Sequence, residues 1–186
     1  MAARSTWRFG TIRVLMRASW LLGKWSLKLG DGRDNVDFNP DYRDLFFELN
    51  TARARYLVVG GYAVIYHSEP RYTKDIDVLI SPTPQNARRV LAALKRFGAP
   101  IDNLSEHDLS DPELVIQLGV APNRVDILMK IKGVTFDTAW KKRLSIRYAD
   151  QRVWMIDVSC LRRAKLAAGR PQDLADLEAL RTIKRI

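Results

Sequence analysis

The segment Lys74-Asp75-Ile76-Asp77-Val78-Leu79-Ile80 constrains this chain of 186 residues more than any other stretch. Its apolar residues read as a buried strand over 74–80, and strand side chains alternate with period two, so Asp75 and Asp77 must share one face. Like charges about 4 Å apart at an effective dielectric near 20 repel by roughly 4 kcal/mol. A fold that keeps both acids there needs something positive between them. A hard divalent cation meets that need, and magnesium favours carboxylates acting together with phosphate oxygens. Upstream, the β-branched run Tyr56–Val59 reads as a strand that stops at Gly60-Gly61. Glycines between a strand and a helix let backbone N–H groups approach phosphates with no Cβ in the way.

A third acid belongs with these two. Asp126 lies inside Arg124-Val125-Asp126-Ile127-Leu128, flanked by residues that want a core. A lone aspartate in such a strand requires a metal, a cation or hydrogen-bond donors. Arg71 and Lys165 are candidate ion-pair partners for it, so a purely structural role stands beside the metal-binding one.

The rest of the chain alternates helix and strand signals. Apolar spacing predicts helices over 41–54, 62–67, 85–97, 136–143, 161–168 and 173–184. Further strands are expected at 114–118, 124–129 and 152–156, the first two joined as a hairpin by Gly119–Asn123, with 102–112 as loop. Gly169-Arg170-Pro171 punctuates the last two helices as a C-terminal glycine and an N-terminal proline do. Interleaved strands and helices give an α/β or α+β domain with a mixed sheet flanked by helices and followed by C-terminal helices. We divide the chain into a basic extension at 1–34, a core at 35–158 and a C-terminal helical segment at 159–186.

The formal net charge is +10, which favours polyanionic partners such as nucleic acid or nucleotides. Residues 1–34 hold seven basic residues against Asp31 and Asp34. Arg4/Arg8, Arg13/Arg17 and Lys24/Lys28 are spaced four apart, as on one side of a helix, among Trp7, Trp20 and Trp25. A nucleic-acid arm, a membrane-surface helix and an extension outside the working fold all fit this pattern, and the last is preferred because the apolar pattern from Phe38 onward is self-sufficient. Arg17 and Lys24 interrupt the one long apolar stretch, so no membrane span is expected. Cys160 is the sole cysteine, which rules out an intrachain disulfide and suits a cytoplasmic protein. His67 and His107 are too few for a zinc site.

The pattern Gly60-Gly61-x-Ala63 … Arg71-x-Thr73-x-Asp75-Ile76-Asp77, with Asp126 on a later strand, resembles the nucleotidyltransferase superfamily of the DNA polymerase β type. Within it, Gly133-Val134-Thr135-Phe136 and Lys165-x-x-x-Gly169-Arg170-Pro171-x-Asp173-Leu174-x-Asp176 are similar to small bacterial proteins related to the AbiEii toxin family. The likeness runs from about Tyr56 to Leu180. It implies that Asp75, Asp77 and Asp126 bind Mg²⁺, with two ions expected, and that Asp126 acts as base. It also implies that Gly60, Gly61, Arg71, Thr73 and Lys74 hold a nucleoside triphosphate, and that Lys165 and Asp173 take part in catalysis. The reaction implied moves a nucleoside monophosphate onto a hydroxyl of an RNA 3′ end, such as that of tRNA, or of a protein side chain, with a cognate antitoxin protein as a further partner. Where the superfamily commonly has Gly-Ser, this chain has Gly60-Gly61, which removes a hydroxyl. Two other functions remain open: a catalytically silent nucleotide- or partner-binding module of the same fold, and a structural nucleic-acid-binding protein led by the basic N-terminus.

Overall fold

The computed structural model describes residues 10–14 and 39–181, apart from Pro70, Arg71, Lys74, Ala121 and Pro122. Among these residues the strands are β1 (Gly10–Val14), β2 (Tyr56–Val59), β3 (Asp75–Ile80), β4 (Leu114–Leu118), β5 (Arg124–Leu128), β6 (Leu144–Tyr148) and β7 (Gln151–Met155). The helices are α1 (Pro40–Thr51), α2 (Gly60–His67), α3 (Pro84–Arg96), α4 (Phe136–Lys141), α5 (Val158–Ala168) and α6 (Pro171–Arg181). All the strands join one mixed sheet in the order β1-β4-β5-β3-β2-β7-β6. The expected mixed sheet flanked by helices is present.

Local chemistry sets most helix starts. Asn39 caps α1, its side-chain oxygen accepting from the Asp41 N–H at 2.8 Å, with Pro40 following at the position where a missing N–H costs nothing. Thr83 and Pro84 repeat that arrangement at α3. Asp157 caps α5 by accepting from the N–H groups of Ser159 and Cys160 at 3.1 and 3.0 Å, so this helix begins three residues earlier than its apolar spacing predicts. The glycine pair expected to precede α2 belongs instead to its first turn.

The centre of the sheet is β3, paired in parallel with β5 and antiparallel with β2. Val58, Val78 and Ile127 form one buried row across these three strands, and the adjacent row, on the opposite face, is Val59, Asp77 and Asp126. On the first face, α1 lays Phe46 against Tyr56 with ring centroids 5.8 Å apart, and α3 packs beside α1. The helices α5 and α6 pack on each other and on α2.

Two strands lie where the sequence predicts none. Leu144–Tyr148 pairs with β7 as an antiparallel hairpin through the turn Ala149-Asp150. Arg43 on α1 pins that turn, its Nε and Nη2 donating to the two Asp150 oxygens at 2.8 and 2.9 Å. The other is β1, which runs parallel to β4 at the sheet edge. Its five residues fall within the segment read as an extension, and for them helical spacing gives way to extended backbone. The remainder of residues 1–34 lies outside the described residues. Among the described residues no helix is long and apolar enough to cross a membrane.

Candidate active site

The register of three strands assembles the site. Asp77 is directly opposite Asp126 across the parallel pair β3–β5, and Gln117 of β4 lies opposite Asp126 on its other side. One step along the same face, Asp75 is opposite Arg124. These four charged side chains line a cavity of about 680 Å³ whose far wall is α5 and the start of α6. Gly60, Gly61 and Thr73 line it too, as do Lys165 and Asp173. The structure therefore brings together eight of the ten residues singled out from the sequence. The other two, Arg71 and Lys74, lie outside the described residues.

Arg124 is the principal residue that the sequence reading missed. Its Nε donates to Asp126 Oδ1 at 2.7 Å and its Nη2 to Oδ2 at 3.0 Å, a two-pronged clasp. The same Nη2 donates to Asp75 Oδ2. Gln117 adds a donor to Asp126 Oδ2 at 3.3 Å. The signal was present in the sequence: Arg124 and Asp126 are two apart on a strand and so share a face. With Arg124 held between Asp75 and Asp126, no three acidic, histidine or cysteine side chains among the described residues converge as a metal cage. The donor set still suits a hard cation, because three carboxylates face one cavity and a single guanidinium serves only two of them.

Asp77 is the carboxylate left over. Burial, followed by the charges of Asp75 and Asp126, pushes its pKa up to about 7, against the opposing effects of Lys165 and the Gly61 N–H. Burial also raises Asp126 above the ordinary carboxylate range, despite Arg124. Asp77 explains Gly60. That residue has φ +60°, and a Cβ on it would collide with Asp77 Oδ2. The first glycine of the pair is thus required by the second acid of the strand, since only glycine tolerates both the backbone and the close approach. Gly61 offers its N–H to Asp77, which spends one of the free donors at the start of α2 on the carboxylate.

The other wall is an ion network. Lys165, buried in α5, contacts Asp173 Oδ1 at 2.9 Å and Asp176 Oδ2 at 2.7 Å. Arg170 closes on Asp173 from outside at 2.7 Å. Burial alone would raise the Asp173 pKa, but Arg170 and Lys165 hold it down at about 2. Asp176, the last acid of the tail motif and fully buried, completes this network. Thr73 donates to the Asp75 carbonyl at 3.3 Å.

Further candidates fall away from the cavity. His67 Nε2 meets the Ile156 carbonyl at 2.8 Å, a helix-end anchor. Tyr62 is buried edge-on against Tyr42 and packs in the core. Cys160 is buried. Gly133, with φ +74°, brings the loop before α4 against Arg163 and Ala167 of α5, where a Cβ would not fit.

The model of a family described as "Nucleotidyltransferase of unknown function (DUF6036)" matches residues 43–186, from α1 to the last residue. The chain belongs to this family. The nucleotidyltransferase match takes in every strand of the site and both helices of its far wall. Among curated proteins no match is found.

Proposed function

We propose that this protein is a Mg²⁺-dependent nucleotidyltransferase that moves a nucleoside monophosphate from a nucleoside triphosphate to a hydroxyl acceptor. One observation carries the reading: Asp75, Asp77 and Asp126 lie on one face of two adjacent strands, β3 and β5, in the same cavity as the glycine start of α2. The three carboxylates would hold the metal, which when bound supplies charge neutralisation at the phosphates and at the attacking and leaving oxygens. Arg124, released from Asp75 and Asp126, would turn its fork onto triphosphate oxygens, a geometry that guanidinium suits. The N–H groups at the start of α2 and the positive end of its dipole favour phosphate in the cavity. Asp126, with its raised pKa, would take the proton of the acceptor hydroxyl as that oxygen attacks the α-phosphorus and the bond to pyrophosphate breaks. Lys165, Asp173 and Asp176 would hold the far wall in place.

The net charge of +10 supports RNA, such as the 3′ end of tRNA, over a protein side chain as acceptor. A toxin-like role with a cognate antitoxin rests on the likeness of the tail motif around Lys165 and Asp173. Incubation with labelled triphosphates, Mg²⁺ and total cellular RNA tests the reaction. Label should enter RNA with the wild-type protein and not with Asp75→Asn/Asp77→Asn; equal labelling by the double variant refutes the assignment.

The clasp of Arg124 on Asp75 and Asp126 supports a second reading, a silent binding module in which the arginine permanently takes the cation's place. Calorimetric titration with triphosphate and Mg²⁺, run beside a pyrophosphate-release assay, separates the two. Binding without release selects the module; measurable release excludes it.

A further inference from the structure

The hairpin β6–β7 carries a surface whose charges work against the fold. Arg147 and Arg152 are directly opposite each other across the two antiparallel strands, and both are exposed. Like charges in that position destabilise a strand pair. Neither forms an ion pair with a carboxylate among the described residues. On the same surface of β7, Trp154 begins a stack of guanidinium groups on indoles. Arg143 lies 4.5 Å from the Trp154 ring centroid and 4.0 Å from that of Trp140, Arg55 lies 5.1 Å from Trp140, and Arg152 lies 5.7 Å from Trp154. Asp137, bonded to Arg55 at 2.9 Å, is the one carboxylate paired with this group among the described residues. The Nε atoms of Arg55 and Arg143 are buried without an acceptor. Beside the stack is a cavity of about 430 Å³ lined by Arg53, Arg55, Trp140, Arg152 and Trp154.

Stacking on rings fixes guanidinium planes without consuming their N–H edges. One nitrogen of Arg143 donates to the Trp140 carbonyl at 2.7 Å and one of Arg55 to Asp137, and Arg147 and Arg152 remain donors. Their repulsion is relieved by a ligand that is anionic along its length and offers flat rings. Single-stranded nucleic acid has both properties, whereas a duplex hides its base faces and an acidic peptide has no rings in regular array. We propose that this face, built from β6, β7 and α4, binds single-stranded nucleic acid, with Arg147 and Arg152 on backbone phosphates and the cavity beside Trp140 and Trp154 receiving a base.

The register places this surface relative to the carboxylates. Met155 shares a row with Val58, so Trp154 and Arg152 lie on the opposite face, the one that carries Val59 and Asp77. Arg55 stands four residues before Val59, about 13 Å along the strand direction. A strand held here therefore lies on the same sheet face as the carboxylate cavity and toward its other end. The binding itself does not depend on turnover.

The test is fluorescence anisotropy with a labelled single-stranded RNA of about a dozen nucleotides, using the full chain in EDTA. Arg147→Gln/Arg152→Gln alters two exposed side chains and spares the buried core, removing only the outermost guanidinium of the stack. It should weaken binding about tenfold and lower the slope of log affinity against log salt by about 1.4, two phosphate contacts at roughly 0.7 each. Trp154→Phe should weaken binding less, through the stack alone. Unchanged affinity in the arginine double variant overturns the proposal, as does equal binding of a duplex of the same sequence or equal competition by polyglutamate. The titration is repeated on Asp75→Asn/Asp77→Asn: wild-type affinity there supports the separate face even if nucleotide transfer is never detected, and a parallel loss assigns the binding to the carboxylate cavity and refutes this site.

Discussion

Arg124 grips Asp126 through both Nε and Nη2, at 2.7 and 3.0 Å, and reaches Asp75 from the same guanidinium. A single residue thus supplies positive charge to one acid of β3 and one of β5, and leaves Asp77 outside its reach. Whether it yields that place to a cation is the pivot of the chemistry. Arg124→Gln should lower stability in EDTA by about 2–4 kcal/mol, because partly buried carboxylates lose their partner. Mg²⁺ should restore more of that loss in the variant than it adds to the wild type. Urea denaturation with and without Mg²⁺ measures both, and a variant indifferent to Mg²⁺ contradicts a cation site there.

Asp77 predicts a pH dependence of unusual sign for an acid. Its folded pKa is about 7, above the unfolded value near 3.9, so between those limits the folded chain binds more protons than the unfolded one. Its contribution is complete below about pH 4 and is lost as the pH rises through about 7, at most roughly 4 kcal/mol at about 1.36 kcal/mol per unit. Asp41, raised to about 6 by burial and by Asp44, acts with the same sign, so the comparison must be with Asp77→Asn. In EDTA that variant should show a flatter fall in stability from pH 4 to 7. Asp173, held near 2, works in a separate window: its contribution is lost only as the pH falls below about 4.

Gly60→Ala should cost about 2 kcal/mol or more, from the left-handed backbone and the collision with Asp77. Because the clash is with one carboxylate, Gly60→Ala/Asp77→Ala should recover part of the loss. A double-mutant cycle by chemical denaturation tests this, and strict additivity of the two changes counts against the contact.

Lys165→Met leaves Asp173 and Asp176 buried with their shared cation gone, and should destabilise the protein by about 3–5 kcal/mol. Adding Asp176→Asn should return some of that stability without returning nucleotide transfer. If Lys165→Met protein is as stable as wild type, the network does not hold α6 to α5.

Much of this was legible in the sequence because period-two alternation is a local signal. It placed Asp75 and Asp77 together, and it placed Asp126 on a strand. The partner of Asp75 was not legible, since it meets Arg124 through a pairing of residues 49 apart in sequence. The strand β6 was missed for a different reason. Leu144, Ile146 and Tyr148 do alternate with exposed Ser145 and Arg147, but the segment is short and follows a basic run that continues the helical pattern of α4. The role of Gly60 could be read only in part: the sequence suggested room for a phosphate, while the structure shows first a room for Asp77.

The pairing of β3 with β5 has a consequence for how the protein comes into being. During synthesis, Asp75 and Asp77 emerge from the ribosome long before Arg124 and Asp126, and the α5 wall follows later still. Until those later segments are made, the early acids have neither Arg124 nor Lys165 beside them. A nascent chain therefore has no closed cavity until α5 has been made.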